Sequence, residues 1–268
     1  MDGVIVINKH CGATSHDVCV AVKKTFGFKK VGHVGTLDPL ATGVLPVCVN
    51  EATKLVQFLM HRDKEYVCTL QLGVVTDTQD SGGKVIASTQ DIPRSTELIT
   101  RAIQGFRGEQ QQTPPMFSAL KYNGTPLYKL ARRGQTVHRP QRRVSIHAIE
   151  VLSLQLPNIV LRVACSHGTY IRTLCHDIGQ QLGCGAHMTG LERTRNGAFH
   201  INRSVNLAVL AGLPRDQALD RYLLSPNQAL CGLPEVTVND AMERKLRTGA
   251  TITLGDLRML RVPPIDKG

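Results

Sequence analysis

A single acid sits in a loop that looks built to hold it. In the run Gly32-His33-Val34-Gly35-Thr36-Leu37-Asp38-Pro39-Leu40-Ala41-Thr42-Gly43-Val44-Leu45, Asp38 is the only carboxylate between Asp17 and Glu51. Glycine permits positive φ and close backbone approach, and Pro39 fixes the chain immediately after the acid. The segment reads as a rigid loop presenting one carboxylate, which can act as a nucleophile or move a proton. An Asp-Pro pair among glycines also suits a plain turn or a helix cap. His33 invites acid-base work because imidazole titrates near neutrality, although a lone loop histidine more often serves as a hydrogen-bonding group. Tyr66 reads as a core aromatic of a strand, and Arg172 lies just inside a helix start, where its fork can receive the Asp38 carboxylate in a bidentate pair.

These groups need a frame. Residues 4–7 are apolar and read as a buried strand. Thr14-Ser15-His16-Asp17 offers capping residues before Val18, Val22 and Phe26, a helical spacing, so His16 and Asp17 suit a cap better than catalysis. Residues 44–49 read as a strand and 52–60 as a helix. Residues 64–73 alternate, placing Tyr66, Cys68, Leu70 and Leu72 on one face. Asp80-Ser81-Gly82-Gly83 forms the turn of a hairpin leading to Val85 and Ile86. Residues 95–105 read as a helix and 110–118 as an extended loop, since Pro114-Pro115 excludes regular helix. A helix over 125–133 ends at Gly134. Strands follow at 144–156 and 159–165, a helix at 169–182 closed by Gly183, and a short strand at 198–201. Irregular alternation of strands, helices and hairpins predicts an α+β fold with a mixed or antiparallel sheet. Prolines and a glycine place a boundary near residues 226–234, giving a catalytic domain over 1–230 and a short tail over 231–268.

The chain has 268 residues, 42% hydrophobic and 20% charged, with 4% aromatics, no tryptophan and a net charge of +11. That balance suits a soluble globular protein with a polyanionic partner. The charge is not spread evenly. Residues 110–149 contain no Asp or Glu, yet carry Lys121, Lys129, Arg132, Arg133, Arg139, Arg142 and Arg143. Such a stripe fits RNA phosphates and a strong salt dependence, and Tyr122 and Tyr128 interleave with it. The eight cysteines include no C-x-x-C pair, which argues against a zinc site or a disulfide framework. They read as reduced, buried residues of a cytoplasmic protein. No signal peptide or membrane span is evident, and nothing calls for more than a monomer.

The loop of residues 32–45 closely resembles the signature of the TruB family of RNA pseudouridine synthases. The likeness continues in order over most of the chain. It includes Asn8-Lys9 with Gly12-Ala13-Thr14-Ser15-His16-Asp17, Lys64-Glu65-Tyr66 with Leu72-Gly73 and Thr76-Asp77-Thr78-Gln79-Asp80, and Pro114-Pro115-Met116-Phe117-Ser118-Ala119-Leu120-Lys121. It closes with Cys165-Ser166-His167-Gly168-Thr169-Tyr170-Ile171-Arg172 and Leu191-Glu192-Arg193-Thr194-Arg195 followed by Gly197 and Phe199.

The resemblance implies a sheet of pseudouridine synthase type with flanking helices and RNA-binding insertions. It implies isomerisation of uridine to pseudouridine at position 55 of the tRNA T-arm, on a nucleotide taken out of its stack, with no cofactor and no metal. Asp38 is then the essential residue. Tyr66 stacks on the uracil and accepts a proton, Arg172 partners Asp38, Tyr170 and Leu191 meet the target nucleotide, and His33 contacts the RNA. Lys9 supports the active-site loop or a phosphate. Lys121, Lys129, Arg132, Arg133, Arg142 and Arg143 form the RNA-binding set. His10 stands where the family has proline, and Glu192 where a basic residue is common. Residues 236–254 resemble the start of a PUA-type module too short to be complete, with Ile252, Leu254 and Leu257 left exposed and residues 263–268 polar and unpacked. A stand-alone enzyme of bacterial type is the first reading; a catalytic subunit of a guide-RNA particle and an RNA chaperone with lost catalysis are the rivals.

Overall fold

The apolar start and the alternating strand become members of the same sheet. The computed structural model describes residues 1–233, 235–253 and 255–256. The first strand, β1 (Gly3–Lys9), is almost wholly buried. Thr14 then caps α1 (Ser15–Phe26): Asp17 donates its backbone N–H to the Thr14 hydroxyl at 3.1 Å, and Thr14 donates its own to Asp17 Oδ2 at 2.9 Å. This reciprocal box satisfies two amides that a helix start leaves free. Val18, Val22 and Phe26 face the core, as their spacing predicts.

β2 (Val31–His33) enters the Asp38 loop, and β3 (Thr42–Val49) leaves it. The helix expected over 52–60 is divided. A 3₁₀ segment (Asn50–Leu55) precedes the single turn α2 (Val56–Leu59). Thr53 explains part of the difference, because its hydroxyl donates to the Asn50 carbonyl at 2.7 Å and tightens that turn. The alternating strand is β4 (Lys64–Leu72), with every second residue from Lys64 buried. β5 (Val74–Thr76) and β6 (Val85–Ser88) make the expected hairpin, followed by α3 (Thr96–Gln104) capped by Ser95.

The stretch expected as a loop over 110–118 begins as a strand, β7 (Gly108–Gln112), paired antiparallel to a later one. Its Gln-rich sequence lacks an apolar face because it lies at the end of the sheet path, where pairing rather than burial holds it. β8 (Lys121–Tyr122) and β9 (Thr125–Pro126) form a small hairpin. The next helix, α4 (Leu127–Ala131), is shorter than the expected 125–133, since Pro126 ends a strand and stands at its N-cap. β10 (Arg142–Gln155), β11 (Asn158–Cys165) and α5 (Ile171–Gln181) follow as expected.

β12 (Ala186–Asn196) has no counterpart among the expected elements. It lies at the middle of the sheet, antiparallel to β4 and parallel to β3. β13 (Phe199–His200), β14 (Val205–Asn206), α6 (Leu207–Ala211), α7 (Arg215–Tyr222), β15 (Leu223–Leu224) and α8 (Pro226–Ala229) complete this part. The main path runs β14-β1-β3-β12-β4-β11-β10-β7, with β2, β13 and β15 pairing beside it. Among the described strand pairs only β1–β14 and β3–β12 are parallel, so the sheet is mixed and largely antiparallel. Ile5, Ile7, Val22, Leu45, Leu70, Leu161 and Ile178 belong to its continuous apolar core.

Two compact units divide at Ala229 and Leu230. In the second, the Asn239 side chain accepts the Met242 N–H at 3.1 Å and caps α9 (Asp240–Arg247). Ile252 is half-buried; Leu254, Leu257 and residues 263–268 lie outside the described residues.

Candidate active site

The Asp38 loop is fixed from two sides by groups that the sequence scatters. On the α1 side, Ser15 Oγ accepts the Leu37 N–H at 2.8 Å and donates to the Leu37 carbonyl at 3.1 Å. Gly12 N–H donates to the Pro39 carbonyl at 2.8 Å. Lys9 is fully buried, and its ammonium donates to the carbonyls of His10, Ala13 and Pro39. Its donors are thus taken by backbone carbonyls, one of them that of Pro39 in the loop. On the β12 side, Arg193 donates to the Gly35 carbonyl at 3.0 Å and the Val44 carbonyl at 2.8 Å, and Asn196 donates to the Val34 carbonyl at 2.9 Å. Gly43 sits at φ 98°, where an added Cβ would lie 2.3 Å from the Arg193 carbonyl oxygen. Glycine here permits the close β3–β12 approach.

Asp38 emerges from this clamp and meets Arg172, which α5 brings from 134 residues away in sequence. Arg172 Nε donates to Asp38 Oδ2 at 2.9 Å and Nη2 to Oδ1 at 3.2 Å, a bidentate pair. The same guanidinium donates to the Thr78 carbonyl at 3.0 Å and the Phe117 carbonyl at 2.8 Å, and Asp80 Oδ2 lies 3.6 Å from Nε. The Arg172 side chain is 4% exposed, whereas that of Asp38 is 34% exposed. A buried cation therefore holds a carboxylate whose other edge faces open space.

That space is a cavity of about 370 Å³, lined by Asp38, Tyr66, Tyr170, Arg172, Leu191 and Arg193 among others. Tyr66 comes from the inward face of β4, directly across the sheet from Arg193 of β12. Burial pushes the Tyr66 phenol above its ordinary value, against a smaller downward pull from the Arg193 guanidinium, so it is a neutral phenol at physiological pH. Burial lowers Arg193 from its own very high value. Tyr170 stands at the N-terminus of α5. Buried Gln112 of β7 grips its backbone twice, accepting its N–H at 2.8 Å and donating to its carbonyl at 3.0 Å. Burial also pushes the Tyr170 phenol up. Lys64 lines the cavity beside Tyr66, and burial lowers its ammonium to about 8 while the Met60 and Arg62 carbonyls receive its protons.

Asp38, Tyr66, Tyr170, Arg172 and Leu191 thus converge on one cavity. His33 does not line it. It lies on β2, with Nδ1 buried and without a partner among the described residues, and burial and Arg193 hold its imidazole below the usual range. Lys121, Lys129, Arg132, Arg133, Arg142 and Arg143 are all exposed. Arg143 pairs with Glu109, and the Arg132 guanidinium stacks 5.6 Å above the Tyr128 ring. Sequence reasoning missed Lys64, Gln112 and Arg193. Lys64 was within reach of it, being a charge at an inward position of an alternating strand.

The chain matches two family models: TruB family pseudouridylate synthase (N terminal domain) over residues 23–171, and tRNA pseudouridylate synthase B C-terminal domain over residues 172–230. It is 45% identical over 260 residues to a tRNA pseudouridine synthase B of Geotalea uraniireducens, covering 97% of this chain and 84% of that one. It is 47% identical over 220 residues to one of Francisella tularensis, covering 82% and 73%. A crystal structure of a Cbf5-Nop10-Gar1 complex contains a chain 33% identical to this one, with a TM-score of 0.74 over 92% of this chain and 67% of that chain.

Proposed function

The chain belongs to the TruB family of pseudouridylate synthases, and from that premise we propose that it converts uridine to pseudouridine at position 55 in the T-arm of tRNA, with Asp38 as the catalytic residue. The observation that carries this reading is the Asp38 carboxylate, pinned by a buried guanidinium and open on its far edge to a cavity with two tyrosines. In the reaction the N1–C1′ bond breaks, the uracil turns, and C5 bonds to C1′. The C5 proton leaves and N1 gains a proton, so the product is an isomer.

Each lining group has a task. Asp38 works at the ribose, as nucleophile at C1′ or as acid and base there. Arg172 fixes its direction. The neutral Tyr66 ring packs on the extruded uracil, and Tyr170 and Leu191 hold the nucleotide in place. His33 contacts the RNA outside the cavity. The exposed stripe of Lys121, Lys129, Arg132, Arg133, Arg142 and Arg143 receives backbone phosphates. The cavity is complete within one chain, which suits action as a monomer. Eight free cysteines, six of them buried, suit the cytoplasm, and no helix among the described residues is long and apolar enough to cross a membrane. Relatives named as tRNA enzymes share 45–47% of aligned residues, against 33% for the chain of the Cbf5 complex, which favours the stand-alone reading over a guide-RNA subunit.

The test is release of tritium from C5 of uridine in an unmodified tRNA transcript. Release approaches one equivalent per tRNA with the parent chain and is absent with Asp38→Asn, whose RNA affinity stays within about tenfold, roughly 1.4 kcal/mol. Tight binding without release by the parent would favour the chaperone reading.

A further inference from the structure

Two histidines at the rim of the cavity have no task in the scheme above. His61 lies in the turn between α2 and β4, and His167 in the loop between β11 and α5; both line the cavity and both are exposed. Their rings meet edge to face, with centroids 4.7 Å apart and planes at 90°. Neither ring makes a hydrogen bond or an ion pair among the described residues.

The charges around them leave this pair unmatched. Asp63, beside His61, has its carboxylate 3.3 Å from His147 Nε2 of β10. Asp38, the only carboxylate lining the cavity among the described residues, is held by Arg172. Lys64 of β4, Arg172 of α5 and Arg193 of β12 are the cations facing the same space. The rim is therefore short of negative charge, and its exposed polar groups include the two imidazoles, which donate N–H bonds to an oxyanion when protonated. An edge-to-face pair accommodates one proton well, because the positive edge of an imidazolium meets the face of a neutral ring. Two protons on rings so close would repel. Burial and the neighbouring His61 and Lys64, against a smaller upward pull from Asp63, hold His167 below the usual range in the free protein, so an arriving phosphate would supply the further charge that favours its protonation.

We propose that His61 and His167 together bind a backbone phosphate of the RNA beside the extruded uridine, sharing one proton as they do so. The inference rests on the RNA-isomerase reading of the cavity. It makes substrate binding, more than the chemical step, strengthen as pH falls through the imidazole range.

The experiment measures Kd for unmodified tRNA transcript between pH 6 and 8, in the Asp38→Asn background so that no product forms. Binding without the two substitutions weakens about fivefold to tenfold over that range, the scale of one charge-assisted contact. With His61→Gln and His167→Gln together the profile is flat, and the slope of log Kd against log salt falls by about 0.7, as for one single-strand phosphate. His167→Lys carries a permanent charge and recovers tight binding at pH 8. In the chain with Asp38 intact, the double substitution raises KM more than it lowers kcat. His200→Gln, on β13 and not part of the cavity lining, keeps the parent profile. A double variant with the parent's pH profile and salt slope would overturn the proposal, as would a loss confined to kcat. Absence of C5 tritium release by the parent chain would instead sink the isomerase reading, and with it the premise that this phosphate belongs to a nucleotide under reaction.

Discussion

Replacing Arg172 with lysine keeps the charge and removes the fork, which makes it the sharpest perturbation of the site. The guanidinium serves four oxygens at once: both of Asp38 at 2.9 and 3.2 Å, the Thr78 carbonyl at 3.0 Å and the Phe117 carbonyl at 2.8 Å. An ammonium is a single point with three donors on a flexible stem. It can reach about two of these oxygens, leaving about two unmatched at about 1–3 kcal/mol each when buried. Asp38 is 34% exposed and is partly rewetted, which moderates its share. A loss of about 3 kcal/mol follows, and for a unit of this size it lowers Tm by roughly 6–12 °C. The chemical effect is separate. Without two-point attachment the carboxylate swings by about 1 Å, and a displacement of that order costs about a hundredfold in rate. Differential scanning calorimetry reads the first quantity, and single-turnover tritium release at saturating tRNA, well below the new Tm, reads the second. A variant that melts early yet turns over within about threefold of the parent would refute the argument that two-point attachment sets the reactive geometry.

Three further outcomes follow from other parts of the structure. Replacing Lys129, Arg132 and Arg133 with alanine lowers the salt slope of tRNA binding by about 2–3, near 0.9 for each duplex phosphate released; an unchanged slope removes the stripe from the interface. Gly43→Ala drives a Cβ into the Arg193 carbonyl region at φ 98°, costs about 2–3 kcal/mol in strain and opened pairing, and shifts the urea midpoint accordingly; an unaltered midpoint would show that β3 and β12 do not need the close approach. Lys64, lowered to about 8 by burial, is protonated in both folded and unfolded chains well below that pH, where its penalty is constant. Between about pH 8 and 10 the unfolded chain still binds the proton that the folded chain has lost, so the parent gains stability relative to Lys64→Met by up to about 1.4 kcal/mol per pH unit. Parallel urea-unfolding profiles for the two proteins would contradict that assignment.

What the sequence made legible was whatever is written locally. The Thr14–Asp17 cap, the apolar spacing of α1 and the alternation through Tyr66, Cys68, Leu70 and Leu72 each follow from residues within a few positions of one another. The Asp38 loop was legible as a motif, and its pairing with Arg172 as an expectation from a helix start. β12 was not legible, because its stretch Ala186–Asn196 carries Glu192, Arg193, Arg195 and Asn196 where a central strand would be expected to be apolar. Those of its side chains that brace the loop are tolerated at the centre of the sheet because partners distant in sequence satisfy them: Val44 and Gly35 carbonyls for Arg193, and the Val34 carbonyl for Asn196. Gln112 is the same case in miniature, a polar residue buried to hold the backbone of Tyr170.

The same residues that hid β12 explain how the loop is braced. A strand chosen for burial alone would place apolar side chains under residues 34–44, and the carbonyls of Val34, Gly35 and Val44 would then lack donors, at a cost of about 1–3 kcal/mol each. Arg193 and Asn196 supply those donors, so the break in the apolar pattern is what holds Asp38 in register with Arg172. Tyr66 lies opposite Arg193 on β4, so the ring proposed to meet the base and the cation that braces the loop are set by one strand register. A one-residue slip of β12 would turn Arg193 to the other face and release the loop and the tyrosine together.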